Sequence, residues 1–375
     1  MTIGFPDIKT LVVKVGTTLL SGPQGFDGRV LDERIRELAR LKRERNLNLL
    51  IVSSGAMGCG MDRLGLTQRP TLLPVKQATA AVGQSRLMHI YETLFQNCGE
   101  GLHAAQVLLS ASDLDSRTSY LNIRNTINAL FEFGNVVPIV NENDSTATLE
   151  LRFGDNDTLA AKVASKIDAD LLVILSNVDG LFTGNPDSDP DAKLIERVES
   201  ITPEIEALAG DTTAATSIGG MRTKLEAARI ACASGLPMAI ANGNRRNIIE
   251  EVLEGRAPMT VFGEAQQSLN HRRRWIAFGK TTKGSLRVDP GARDALLNRG
   301  TSLLAAGIVA VEGEFDLGEA VTVVDAEGKR IARGLVNYAS TDIGRIKGRK
   351  TSEIETILGH KDYDTVIHRD NLVLL

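Results

Sequence analysis

The sequence predicts an α/β protein: a mainly parallel sheet covered by helices on both faces, followed by a smaller, mostly β domain. Three observations predict it. Continuous apolar, β-rich runs alternate with helical periodicities through roughly the first 260 residues, as expected for strands buried on both faces and joined by crossover helices. After Gly255 the pattern changes to a polar stretch, 264–275, and then to short alternating runs punctuated by glycine. The length, 375 residues, exceeds what one hydrophobic core usually serves.

The elements follow in order. Leu11-Val12-Val13 reads as a buried strand, and Leu31, Ile35, Leu38 and Leu41 give residues 31–44 a helical period. Leu49–Val52 is a second strand, 77–95 a helix and 103–109 a strand. A helix over about 117–132 precedes the strand Val136–Val140. Residues 156–167 are helical, 171–175 a strand, 221–234 a helix and 237–241 a strand. In the tail, Ile308–Val311 and Ala320–Val324 read as strands, with a turn at Glu327-Gly328. These boundaries give a first domain over 1–262, a linker over 263–282 and a second domain over 283–375.

Composition narrows the class. With 42% hydrophobic and 24% charged residues the chain has the balance of a soluble globular protein. A net charge of -4 excludes a molecule that is cationic throughout and binds nucleic acid by bulk charge. Residues 263–375 carry 17 basic against 15 acidic side chains, a weak footprint for RNA despite the runs Arg272-Arg273-Arg274 and Arg345–Lys350, which read as solvated faces. Cys59, Cys98 and Cys232 are scattered, without metal spacing, which suits a reducing compartment. No stretch approaches 18 apolar residues and no signal pattern opens the chain, so a cytoplasmic protein without a membrane partner is expected.

The polar, glycine-rich stretches fall just after predicted strands, where open α/β sheets place ligands. Lys14-Val15-Gly16-Thr17-Thr18 ends the first strand. A lysine in an apolar strand is either aimed at an anion such as phosphate or snorkelling from a sheet edge. Ser53-Ser54-Gly55-Ala56-Met57-Gly58 is either an anion-binding helix start or a plain turn with a serine cap. Asn141-Glu142-Asn143-Asp144 and Gly154-Asp155-Asn156-Asp157 gather amides and carboxylates suited to an amino acid, and one residue of the second group would serve as a helix cap. They lack the spacing of a calcium loop. Ser176–Thr183 is either one wall of a nucleotide pocket or a turn. Ser217–Lys224, with Gly219-Gly220 before a helix and Lys224 one turn in, is a phosphate cradle or a surface loop. No Walker loop or dinucleotide fingerprint occurs.

Taken in order, K-V-G, S-S-G-A, N-E-N-D, G-D-N-D, S-N-V-D-G-L-F-T and G-G-M-x-T-K resemble the amino acid kinase family, in particular its glutamate-phosphorylating members. Gly284-Ser285-Leu286, Val288–Ala292, Arg299–Leu304 and Gly307-Ile308 resemble the PUA domain attached to many of them. The likeness covers nearly the whole chain. It implies a three-layer α/β/α sandwich plus a small β-barrel. It implies phosphorylation of L-glutamate by ATP to L-glutamate 5-phosphate, the first step of proline biosynthesis. Mg²⁺ would be carried with ATP, with no protein metal ligands. L-proline would be a feedback inhibitor and the chain a homo-oligomer, dimer or tetramer.

By the same resemblance Lys14 and Lys224 flank the transferring phosphoryl group and Asp157 orients them. Ser54, Asp144 and Asn156 bind glutamate, with Asn141 and Asp155 as additions. Lys14, Ser176, Asn177 and the loop Ile218, Gly219, Gly220, Met221, Arg222, Thr223 and Lys224 bind ATP. Asn177 departs from the aspartate common in relatives. The rivals are another amino acid kinase, acting on aspartate, acetylglutamate, carbamate or UMP, and an RNA-binding protein using the PUA-like tail.

Overall fold

The computed structural model describes residues 4–22, 25–26, 28–110, 113–114, 117–146, 155–186, 188–209, 220–263 and 282–374. The chain divides into two compact units, Met1–Ser268 and Leu269–Leu375. The expected linker falls almost wholly outside the described residues.

In the first unit the strands of the main sheet are β1 (Thr10–Val15), β2 (Asn48–Ser53), β3 (His103–Leu109), β4 (Val136–Glu142), β5 (Leu171–Ser176), β6 (Arg197–Val198), β7 (Met238–Asn242) and β8 (Met259–Phe262). The helices are α1 (Arg29–Glu44), α2 (Ala56–Leu64), α3 (Leu73–Asn97), α4 (Arg117–Glu132), α5 (Asn156–Lys166), α6 (Pro203–Ala207), α7 (Met221–Ala233) and α8 (Ile248–Leu253). One sheet runs β3-β4-β2-β1-β5-β7-β8-β6, parallel except where β8 meets β7.

The strands are buried on both faces, so each residue in turn feeds a different core. Leu11, Val13 and Val15 of β1 pack with α1, α3 and α8. Val12 packs on the other side with α4, α5 and α7. Lys14 shares the parity of Val12, so the pleat alone sends it toward α5 and α7. β1 lies between β2 and β5, where Lys14 pairs with Val52 and Ile174. It is therefore a central-strand lysine, and the edge-strand alternative is excluded.

Two glycines bring α2 and α3 into backbone contact. A Cβ at Gly83 would lie 1.7 Å from the Ala56 carbonyl oxygen, and one at Gly60 would lie 1.9 Å from that of Thr79. Only glycine permits this approach, which presses α3 against the turn that follows β2.

The second unit contains β9 (Gly284–Val288), α9 (Pro290–Arg299), β10 (Ile308–Gly313), β11 (Ala320–Val324), β12 (Arg330–Leu335), α10 (Ser340–Ile346), α11 (Ile354–Leu358) and β13 (Leu372–Leu374). Its sheet runs β10-β9-β11-β12-β13 and is antiparallel except between β9 and β11. Gly328 turns between β11 and β12 at a φ of 80°, and its N–H donates to the Asp325 carbonyl. The unit has its own core, which includes Leu286, Val321, Val323, Ile331, Ile343 and Ile367. The three α-helices among its described residues are additions to the mostly β expectation.

Candidate active site

The carboxyl ends of β1, β2, β4 and β5 form one rim, and most of the predicted polar residues lie along it. Asp157 is the hub. It sits in the first turn of α5 and is 0% exposed. Lys14 Nζ lies 2.6 Å from its Oδ1, and Lys224 Nζ donates to its Oδ2 at 3.2 Å. Thr223 Oγ1 lies 2.9 Å from the same Oδ2 and 2.8 Å from the Gly220 carbonyl oxygen, tying the start of α7 to the carboxylate. The two lysines, 210 positions apart, thus meet on opposite oxygens of one carboxylate.

The electrostatics follow from that geometry. Burial drives the Asp157 carboxyl upward, but Lys14 and Lys224 outweigh it and hold the group below the ordinary aspartate range. Burial lowers Lys224; Asp157 pulls it back, Lys14 opposes, and the ammonium titrates below an ordinary lysine. Both buried ammoniums meet Asp157 and also feel the nearby Asp155, so the pair of cations is held at one place on the rim, where it can face a polyanion.

Beside the hub lies an amide cluster. Asp155 caps α5, its Oδ1 accepting from the Asp157 and Thr158 amides at 2.7 and 2.9 Å. Burial raises its carboxyl. Asp155 is thus the cap that the sequence assigned to one residue of this group. Asn156, at the first helical position, donates through Nδ2 toward the Ser53 carbonyl at 2.8 Å, Ser54 Oγ at 3.0 Å and Asn141 Oδ1 at 3.0 Å. Asn141 Oδ1 also accepts from the Glu142 amide, and its Nδ2 donates to Gln84 Oε1 at 2.9 Å. Asp144 lines a small cleft with Ala56, Gln84, Glu142 and Asn143. The Ser53–Ala56 turn is held by Ser54 N–H to the Val15 carbonyl, at 3.1 Å, and by Gly55 at a φ of 105°. No serine side chain caps α2.

Further along the rim, Ser176 is buried at the end of β5, and its hydroxyl lies 3.4 Å from Oδ1 of the exposed Asn177. Gly243 N–H donates to the Ser176 carbonyl, which brings the turn after β7 to the same rim. Gly220, Met221, Arg222, Thr223 and Lys224 start α7. Ile218 and Gly219, like Gly154, lie outside the described residues.

The amino acid kinase family profile matches residues 9–242, so it includes both lysines, Asp157 and the whole amide cluster. The chain belongs to the amino acid kinase family. A PUA domain matches residues 284–358, within the second unit. The chain is 49% identical over 368 residues to a protein of Moorella thermoacetica named glutamate 5-kinase, covering 98% of this chain and 96% of that one. It is 46% identical to the glutamate 5-kinase of Carboxydothermus hydrogenoformans, covering 98% of each. For the glutamate 5-kinase of Caldanaerobacter subterraneus subsp. tengcongensis the identity is 46%, covering 97% of each.

Within this amino acid kinase the residues that strand-end reasoning does not find are Gln84 and Tyr91, both on α3. Gln84 supports Asn141, and the buried Tyr91 hydroxyl donates to Ser53 Oγ at 2.8 Å. The turn Asn242-Gly243 was open to the strand-end rule, because it too follows a strand, but its polar content is slight.

Proposed function

We propose that this amino acid kinase transfers the terminal phosphoryl group of ATP to the side-chain carboxylate of L-glutamate, giving ADP and L-glutamate 5-phosphate, the entry reaction of proline biosynthesis. The observation that carries the reading is the meeting of Lys14 and Lys224 on Asp157, one helical position from Asn156 and its serine and amide partners. The names of the relatives point to the same substrate.

The chemistry needs no general base, since a glutamate side chain is ionised at neutral pH. The barrier is the approach of two anions, and positioning with positive charge is how phosphoryl transfer is generally catalysed. Lys14 and Lys224 offset the charge that spreads over the transferring group. Asp157 holds both ammoniums at the rim and stays ionised. Ser54, Asn156 and Asp144 hold the amino acid, with Asn141 and Asp155 behind them. Ser176, Asn177 and the segment ending at Lys224 hold the nucleotide. Mg²⁺ would come with the phosphates and offset part of their charge, since both Asp157 oxygens face protein cations and Asp155 Oδ1 is taken up by the cap.

The test is ADP release with glutamate, with the acyl phosphate trapped by hydroxylamine, run with and without L-proline. Turnover with aspartate or UMP but none with glutamate would reverse the assignment. Asp144→Ala is expected to raise the glutamate KM by about tenfold or more with little change in kcat, whereas unchanged glutamate affinity would remove Asp144 from the site.

We place the chain in the cytoplasm, in keeping with free thiols at Cys59, Cys98 and Cys232. Among the described residues no helix is long and apolar enough to cross a membrane. We also propose a homo-oligomer. Leu64 at the end of α2, Leu66 and Leu72 in the connection that follows, and Val75 and Val82 in the first half of α3 are exposed, an apolar surface that a second copy would cover. Sedimentation should give a dimer or larger, dissociated by Val75→Asp with Val82→Asp. A double variant that sediments like the parent would acquit this face.

A further inference from the structure

Gln84 is polar, nine-tenths buried and central to a run of side-chain amides that the phosphoryl-transfer chemistry does not itself require. Its Nε2 donates to Gln106 Oε1 at 3.1 Å and its Oε1 accepts from Asn141 Nδ2 at 2.9 Å. Asn141 Oδ1 in turn accepts from Asn156 Nδ2 at 3.0 Å. Four amides from α3, β3, β4 and α5 therefore form one directional chain.

Backbone groups fix its direction. The Glu142 N–H needs an acceptor, so Asn141 must turn Oδ1 toward it and Nδ2 toward Gln84. The Ser53 carbonyl can only accept, so Asn156 must turn Nδ2 toward β2 and Oδ1 away from it. Asn156 Oδ1 accepts no hydrogen bond among the described residues. Ser54 Oγ faces the Asn156 Nδ2 donor, so its hydroxyl hydrogen points elsewhere. The result is one outward acceptor and one outward donor side by side, the complement of an ammonium next to a carboxylate.

We propose that Gln84 is a positioning residue for amino-acid recognition: by holding Asn141 it keeps the Asn156 carbonyl oxygen presented to the substrate α-ammonium and the Ser54 hydroxyl presented to a substrate carboxylate. The inference deepens the glutamate kinase reading and rests on it. Gly83 fixes where Gln84 stands, because its lack of a side chain lets α3 close onto Ala56. Loss of the Gln84 acceptor would orphan a buried Asn141 donor. Asn141 would rotate to find another partner and withdraw from Asn156.

The comparison is between Gln84→Met, which keeps length and bulk but loses the acceptor, and Gln84→Glu, which keeps it. Steady-state kinetics of the full chain should show the glutamate KM raised about tenfold in Gln84→Met, with kcat and the ATP KM within about twofold of the parent. Gln84→Glu should recover most of that loss. If Gln84→Met does not fold, Gln84→Ser, too short to reach Asn141, carries the same comparison. An unchanged glutamate KM in Gln84→Met overturns the proposal, as does equal impairment of the Met and Glu variants or a loss shared evenly by both substrates. Failure of the parent enzyme to use glutamate would instead overturn the substrate assignment, and the amino acid it does use then replaces glutamate in the same comparison.

Discussion

Lys224→Ala is expected to lower kcat by about 10²–10³-fold while leaving the glutamate KM within about twofold of its parent value. Lys224 touches the Asp157 hub directly. Its ammonium is buried at the first turn of α7 and meets the Asp157 oxygen opposite the one held by Lys14. Removing it leaves Asp157 paired with Lys14 at 2.6 Å, so the hub keeps a counter-charge and the fold should survive. What disappears is half of the positive charge that would face the phosphates. That charge matters most when the phosphoryl group is in flight, so the loss belongs in turnover rather than in binding of the amino acid. Lys224→Arg keeps the charge but cannot reproduce the point contact of an ammonium, and should recover only part of the rate. The measurement is a pair of saturation curves on each variant, with melting temperature as a check on folding. A rise in the glutamate KM with kcat intact would mean that Lys224 binds the amino acid and not the phosphoryl group.

Why Lys14 and Lys224 were legible together and Gln84 was not has a physical answer. Strand-end logic finds residues whose place is set by the sheet, and Lys14, Ser54, Asn141 and Ser176 all follow apolar runs. The pleat also gives the side of the sheet to which Lys14 turns, because Val12 two residues earlier is core. Asp157 and Lys224 come from helix starts, where N-terminal polar residues carry a local signature. Gln84 lies mid-helix in α3, eleven residues beyond the helix start, where a polar side chain ordinarily means solvent. Its burial depends on α2 and α3 meeting through Gly60 and Gly83, and that contact is tertiary. The same distinction applies to the fold. Long periodic elements such as α1, α4 and β3 were plain. By contrast α8, six residues long, and β6, two residues long, are too short for a period to develop. β8 is a buried strand that runs against the rest of the sheet, and only its pairing with β7 shows that direction. In the second unit α9 carries ordinary punctuation, with Asp289 as cap, Pro290 in the first turn and Gly300 at a φ of 59°, but glycine and short alternation around it favoured strands.

Asp157→Asn should cost more than any other single change at the hub, in both stability and rate. The substitution keeps the shape and removes the charge that Lys14 and Lys224 both contact. Two buried ammoniums are then left facing a neutral amide. Breaking a buried ion pair by deleting one partner destabilises by about 3–5 kcal/mol, and here both lysines lose the carboxylate they contact, with Asp155 left as a nearby negative charge. The protein has one way to relieve this, which is for a lysine to lose its proton. Lys224 is the one expected to yield, since burial and Lys14 already lower it and Asp157 was what pulled it back. The variant should therefore lose the alkaline side of its activity profile at a lower pH than the parent, with kcat reduced by about 10²-fold or more. At the acid end the sign reverses. The folded-state pKa of Asp157 is depressed, so its contribution to stability is fully present above the unfolded value, about 3.9, and fades as pH falls through the lower folded value. The stability gap between parent and variant, read from denaturant titrations, should therefore narrow below about pH 4. ATP supplies the missing negative charge, so nucleotide should raise the melting temperature of the variant more than that of the parent. If Asp157→Asn melted with the parent, at every pH and with or without ATP, the two lysines would not depend on that carboxylate, and the electrostatic account of this site would fall with it.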